Sequence, residues 1–212
     1  MIDLKQIVRF VIEGKAEYVR KLVQEALDDG KGAQTILNEG LISGMSVVGI
    51  KFKSNEFYLP EVLVAARAMK TGMEVLQPHF LKDPIKSNGI VVLGTVRGDL
   101  HDIGKNLVGM MLEGAGFQVI DLGIDVPPEK FIQVAEDRQA NIIALSALLT
   151  TTMASMKEVT KIFRGSHLGG KAKIIIGGAP VTQAYADAIG ADGFAADAAS
   201  AVDKVRGLLG LN

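Results

Sequence analysis

The stretch Gly89-Ile90-Val91-Val92-Leu93-Gly94-Thr95, running on into Val96-Arg97-Gly98-Asp99-Leu100-His101-Asp102-Ile103-Gly104-Lys105-Asn106, decides the fold. Its first part is short, apolar and rich in β-branched residues, the pattern of a buried strand in a parallel sheet covered on both faces. Ile103, Leu107, Met110 and Met111 then recur at helical spacing until Gly114 and Gly116 mark a stop. A strand leading at once into a helix is the first step of an open α/β sheet. Such sheets bind ligands at the carboxyl ends of their strands, so the loop with Asp99 and His101 falls on the functional edge.

A carboxylate two residues before a histidine can accept the imidazole Nδ1 proton and leave Nε2 as an outward lone-pair donor. The plain alternative is a loop histidine bonded locally. A bare zinc or iron ion needs three or four protein ligands. This chain has no cysteine, its other histidines, His79 and His167, are distant in sequence, and no H-E-x-x-H spacing occurs. A lone axial histidine suits a metal that brings its own equatorial nitrogens, a tetrapyrrole, with haem and corrin both open.

Working outward, the 212 residues are 48% hydrophobic and 22% charged, with a formal net charge of −1, as in a globular protein of one large or two small domains. No basic patch or tail suggests nucleic-acid binding. Neither a signal-peptide pattern nor a run of about 20 apolar residues occurs, which points to a cytoplasmic protein without a membrane span. The periodicity from Met1 to about Phe80 is helical. Leu4, Ile7, Val8, Val11 and Ile12 form one stripe, and Tyr18, Val19, Leu22, Val23 and Leu27 a second. A third helix is expected over 33–52, and a fourth from Pro60 to Pro78 with Leu63, Val64, Ala66, Met69 and Val75 inward. These make a four-helix bundle over 1–86. The polar stretch Lys82–Gly89 is the expected linker. Over 87–212, strands at Ile90–Leu93, Gln118–Leu122, Ile142–Ser146, Ile174–Ile176 and Gly193–Ala195 alternate with helices, as in a doubly wound, flavodoxin-like five-stranded parallel sheet. The phosphate-binding patterns G-x-G-x-x-G and G-x-x-x-x-G-K-[ST] are absent.

Gly98-Asp99-Leu100-His101-Asp102-Ile103-Gly104 resembles the D-x-H-x-x-G signature of cobalamin-binding modules. These modules occur in methionine synthase, B12-dependent mutases and the corrinoid methyl-carrier proteins of anaerobic methyltransferase systems. Lys105-Asn106-Leu107-Val108 is more similar to the methyl-transfer branch than to the mutases. Ser146-Ala147-Leu148-Leu149-Thr150 and Gly177-Gly178 match later landmarks in order, and the resemblance spans nearly the whole chain. It implies a Rossmann-like cobalamin-binding domain in which His101 is the metal ligand to the cobalt of a corrinoid. Asp99 and then Thr152 stand behind it as a relay. Gly98, Leu100, Asp102, Ile103, Gly104 and Leu148 surround the ligand loop, and Ser146, Thr150, Gly177, Gly178 and Ala198 hold the nucleotide tail. Haem has no such tail and fits less well. Thr152 departs from the serine of methionine synthase; threonine can still bond a carboxylate, though with a stiffer χ1.

Glu39-Gly40-Leu41 and Gly44-Met45-Ser46-Val47-Val48-Gly49 resemble the helical cap of methionine synthase. By that resemblance Glu39 is a polar corrin contact, and Phe52 and Leu59 shield the methyl group; from periodicity alone they read as bundle core. The implied function is a methyl carrier rather than a complete enzyme. It would take a methyl group on cobalt from a substrate-specific methyltransferase of methanol, methylamine, betaine or methoxyaromatic type. A second methyltransferase, acting on tetrahydrofolate or coenzyme M, would receive it, and a reductive activase would restore cobalt(I). In that scheme His101 binds the methylated state and lets go of cobalt(I), with Asp99 taking or releasing a proton. A B12-sensing regulatory module can share cap and loop, yet the first helices carry no basic recognition surface. A phosphorelay receiver would want clustered acidic residues after the first strand, where His101 stands.

Overall fold

The computed structural model describes residues 2–80 and 87–211. Residues 82–86 of the expected linker lie outside the described residues. Contacts divide the chain into two compact units: Met1–Ser87 with Gly114–Gly116, and Asn88–Glu113 with Phe117–Asn212. The expected boundary at 86/87 lies one residue from this division.

The helical unit contains α1 (Leu4–Ile12), α2 (Ala16–Asp28), α3 (Ala33–Thr35), a π-helical segment (Ile36–Ile42), α4 (Ser43–Lys53) and α5 (Leu59–Phe80). The third expected helix is thus continuous through 33–53 but widens to a π turn in which the Ser43 N–H reaches back to the Asn38 carbonyl. Ile7, Val11, Val19, Val23, Ile36, Leu41, Val48, Val62 and Leu76 form the core, each out of contact with solvent. Two stripes differ from expectation. On α2 the inward face is Val19, Val23 and Ala26; Tyr18 is 58% exposed and stacks on Phe10, with ring centroids 4.9 Å apart. On α5 the buried residues are Val62, Ala65, Ala68, Met69 and Leu76, while Leu63 and Val64 face solvent. Small residues set that seam: a Cβ on Gly72 would stand 2.7 Å from Leu41 Cδ2 and 3.0 Å from Val19 Cγ1, so α5 approaches closely where side chains are smallest.

The second unit alternates β1 (Ile90–Thr95), α6 (Ile103–Gly114), β2 (Gln118–Asp121), α7 (Pro128–Asp137), β3 (Ile142–Ser146), α8 (Met153–Gly165), β4 (Lys173–Gly177), α9 (Gln183–Ile189), β5 (Gly193–Ala195) and α10 (Ala198–Leu209). All strands pair in parallel in the order β2-β1-β3-β4-β5, the flavodoxin-like order expected. Val92, Ile143, Leu145, Ile174 and Ile176 meet Phe131 of α7 and Met156 and Phe163 of α8 in the core. Thr95 lies opposite Ser146, and Ser146 opposite Gly177, so three strands end level on the edge that carries the site. The face of α6 also differs from expectation. Lys105, Gly109, Met111 and Leu112 are buried, whereas Ile103 is 73% exposed.

Candidate functional site

Beyond β1 the chain stays anchored to both neighbouring strand ends. The Val96 N–H donates to the Ser146 carbonyl at 3.0 Å, and Val96 pairs with Val126. It then turns at Gly98, whose φ of +85° suits a residue without Cβ. This turn directs Asp99 inward, where its residue is fully buried. The carboxylate is bonded on both oxygens. Oδ1 accepts from His101 Nδ1 at 2.7 Å and from the His101 N–H at 3.2 Å. Oδ2 accepts from the N–H groups of Leu148 at 2.7 Å and Leu149 at 3.1 Å, and from Thr152 Oγ1 at 2.7 Å. Burial pushes the Asp99 pKa up, but the bonds from Thr152, His101 and the Leu148 N–H outweigh it and hold the group well below the usual carboxylate range. Asp99 is therefore a fixed anion. The Thr152 hydroxyl reaches it despite the stiffer χ1, and stands 2.8 Å from the Leu149 carbonyl as well.

An ionised carboxylate only accepts, so the 2.7 Å contact assigns the imidazole proton to Nδ1 and leaves the lone pair on Nε2. The His101 side chain is half exposed, and Nε2 has no hydrogen-bond partner among the described residues. Thr95 Oγ1 donates to the His101 carbonyl at 2.8 Å and fixes the backbone beneath the ring. Leu100, Ile103, Ile124, Leu148 and Leu149 are all exposed on this edge, Leu100 and Ile103 most of all at 67% and 73%. Gly104 follows in the first turn of α6, where its backbone needs no glycine and a Cβ would meet nothing within 4 Å. The protein's own packing gives no reason for a glycine there. The open backbone leaves room for a planar ligand to lie against the helix start. Among the described residues, no group of three or more His, Cys, Asp or Glu side chains could hold a bare metal ion; His167 stands apart, with Nδ1 3.5 Å from Glu136. The donor set fits a corrinoid: one oriented nitrogen, an apolar surround and open backbone.

The expected tail residues lie along the ends of β3, β4 and β5. Ser146 is half-buried, and Leu148 and Thr150 are exposed in the following loop. Gly178 has a φ of +128°, and a Cβ there would stand 1.9 Å from the Ala147 carbonyl oxygen; one on Gly177 would stand 2.9 Å from that of Ala195. The chain's own backbone thus accounts for both glycines. Ala198 is buried at the start of α10, where Asp197 caps the helix through the Ser200 N–H at 2.7 Å. In the helical unit, Glu39 is exposed on the π-helical segment, Phe52 is half-buried and Leu59 is 37% exposed. The two apolar residues are not enclosed in the bundle core.

Three features escape a reading of side-chain motifs. The Leu148 and Leu149 N–H groups are backbone donors without a residue signature. Asp125, at φ +53°, accepts from the Gly98 N–H at 2.7 Å and donates its own N–H to the Asp99 carbonyl at 3.1 Å. Gly123-Ile124-Asp125 before Val126-Pro127-Pro128 was the available signal, a turn composition in which aspartate tolerates the left-handed region. Lys105 is the third, buried against Asp121.

Residues 89–206 match the model of a B12 binding domain, and residues 3–77 match a second model with the same description. The chain is 41% identical to a corrinoid protein of Desulfitobacterium hafniense strain Y51 across 98% of this chain and 97% of the other. It is 39% identical to dimethylamine corrinoid protein 3 of Methanosarcina acetivorans across 99% and 100%. Among solved structures, a cobalamin-binding protein from Desulfitobacterium hafniense DCB-2 superposes with a TM-score of 0.81 at 31% identity, covering 98% and 99%. A chain of the methanol:cobalamin methyltransferase complex MtaBC from Methanosarcina barkeri gives 0.88 at 30%, covering 97% and 79%. No helix among the described residues is long and apolar enough to cross a membrane. With two B12-binding domains, full-length relatives and an oriented histidine on the sheet edge, the chain belongs to the corrinoid proteins of methyl-transfer systems, and its cofactor is a B12-type corrinoid.

Proposed function

We propose that this chain carries a methyl group between two methyltransferases, with His101 as the protein ligand beneath the corrinoid. The observation that carries this is the Asp99–His101 pair, which holds a half-exposed imidazole with its lone pair on Nε2. When bound, the corrinoid supplies a cobalt centre that accepts and gives up the methyl group. The protein's part is orientation and proton holding. Asp99 keeps the Nδ1 proton in place and raises the basicity of Nε2. The Thr152 hydroxyl, within reach of both Asp99 Oδ2 and the Leu149 carbonyl, can turn its single proton from one to the other if Asp99 gains a proton. Leu100, Ile103 and Leu148, exposed on the same edge, would give the corrinoid an apolar surround. Ser146, Thr150, Gly177, Gly178 and the first turn of α10 at Ala198 would receive the nucleotide tail. Glu39, Phe52 and Leu59 are the residues of the helical unit that would contact the corrinoid. Methylated amines are the donor class favoured by the names of the methylamine corrinoid relatives, ahead of methanol, betaine and methoxyaromatics. The acceptor is tetrahydrofolate or coenzyme M on a second methyltransferase, and a reductive activase completes the set of partners.

The test is electron paramagnetic resonance of the protein reconstituted with cobalt(II) corrinoid labelled with nitrogen-15 in its benzimidazole. The wild type is expected to show the three-line splitting of one nitrogen-14, from the protein. His101→Ala is expected to retain the corrin absorbance and lose that splitting. A pattern that follows the label would make the cofactor's own base the ligand and overturn the role of His101.

A further inference from the structure

Lys105 is buried in the sheet unit without a part in the site described above. Its side chain is 2% exposed on the inward face of α6. An ammonium so placed is costly unless paired, and apolar residues of similar volume often serve stability as well or better, so a buried lysine points to position rather than strength. Nζ donates to Asp121 Oδ2 at the end of β2, and to Asn106 Oδ1 at 2.7 Å.

These two contacts begin two arms. An ammonium only donates, so the Asn106 amide must present its oxygen to Lys105 and its nitrogen the other way. Nδ2 then donates to Asp102 Oδ2 at 3.1 Å, while the Asn106 N–H donates to the Asp102 carbonyl at 2.7 Å. The residue after His101 is thus held by both its carboxylate and its backbone. In the other arm, Asp121 Oδ1 accepts from the Gly123 N–H at 2.9 Å. Gly123 opens the turn to Asp125, which grips the Gly98 N–H at 2.7 Å and the Asp99 carbonyl at 3.1 Å. The arms end on either side of the histidine.

We propose that Lys105 is a positioning residue for His101: its buried ammonium braces the backbone on both flanks of the histidine and so sets how fully Nε2 occupies the position beneath cobalt. This rests on His101 being the ligand. Without the brace, Asn106 and Asp121 lose the shared ammonium that ties the two flanks together, and the histidine is left to the Asp99 contacts and the Thr95 bond to its carbonyl.

The experiment uses the full chain reconstituted with cobalt(II) corrinoid, comparing wild type, Lys105→Met and Asn106→Leu. Nitrogen-split and unsplit components of the resonance spectrum are integrated, and thermal unfolding is followed in parallel. Lys105→Met is expected to lower the ratio of histidine-bound to histidine-free cobalt about tenfold, and Asn106→Leu about fivefold, the scale of one or two positioning hydrogen bonds. A purely structural lysine would shift unfolding and leave the ratio alone. Asn106 is half-buried, and its variant keeps the Lys105–Asp121 pair, so the test stands if Lys105→Met does not fold. An unsplit wild-type spectrum overturns the reading of His101 as ligand. A split wild type, with either folded variant keeping the wild-type ratio, overturns the brace alone.

Discussion

Replacing Thr152 by valine removes one hydroxyl and leaves the side-chain shape almost unchanged. The Thr152 residue is 8% exposed, and its Oγ1 donates to the fully buried Asp99 carboxylate at 2.7 Å. A hydrogen bond to a charged, buried acceptor contributes about 1.5–3 kcal/mol. With a urea slope of about 2 kcal/mol per molar, the unfolding midpoint should fall by roughly 0.7–1.5 M at pH 7. The loss should also depend on pH. Asp99 has a folded-state pKa depressed below its unfolded value of about 3.9, so its stabilisation is present above that value and lost as pH falls through the folded one. Thr152→Val raises the folded pKa and surrenders part of this contribution. The gap between wild type and variant should therefore stay constant from neutral pH down to the variant's folded pKa, which lies below the unfolded value, and narrow only below that point, where the wild type goes on losing stability. A residue from the lost contact to the Leu149 carbonyl should remain. Urea titrations read by hydrogen exchange of β1 and β3 peptides at several pH values would measure this, with Thr152→Ser close to wild type. An unchanged midpoint at pH 7 would refute the view of Asp99 as an anion held by Thr152.

Gly178→Ala should destabilise the sheet unit by about 3 kcal/mol or more, because the added methyl at φ +128° meets the Ala147 carbonyl oxygen; a denaturant midpoint within error of wild type would contradict this. A fragment beginning at Gly89 should fold and take up corrinoid, since the sheet unit has its own core. Its methylated form should photolyse faster than that of the full chain, and equal rates would count against Phe52 and Leu59 as shields.

The sheet was legible because its strands are short β-branched runs, and parallel strands joined by helices have few orders open to them. The Asp99–His101 pair was legible because both partners sit on one loop, two residues apart. What escaped is what side-chain type does not encode. On α5 the eye follows Leu63 and Val64, yet the tight seam runs over Ala65, Ala68 and Gly72, where close approach favours the small residue. On α6 a lysine reads as solvent-facing until Asp121, sixteen residues on, is seen to meet it. Two of the five donors on Asp99 are main-chain groups of a leucine pair, whose sequence speaks only of apolar character.

The π-helical segment over Ile36–Ile42 solves a problem of angular bookkeeping. Buried positions at Ile36, Gly40, Gly44 and Val48 recur every fourth residue, and a regular helix turning about 100° per residue overshoots a full turn by about 40° at each such step. Over the three steps the stripe would wind about 120° around the rod and carry one end out to solvent. A wider turn takes up that excess and keeps all four positions on one inward line. Glu39 lies within that wide turn, so its bearing is set by the wider winding: at ordinary pitch the same seven residues would turn further and carry Glu39 round relative to α4.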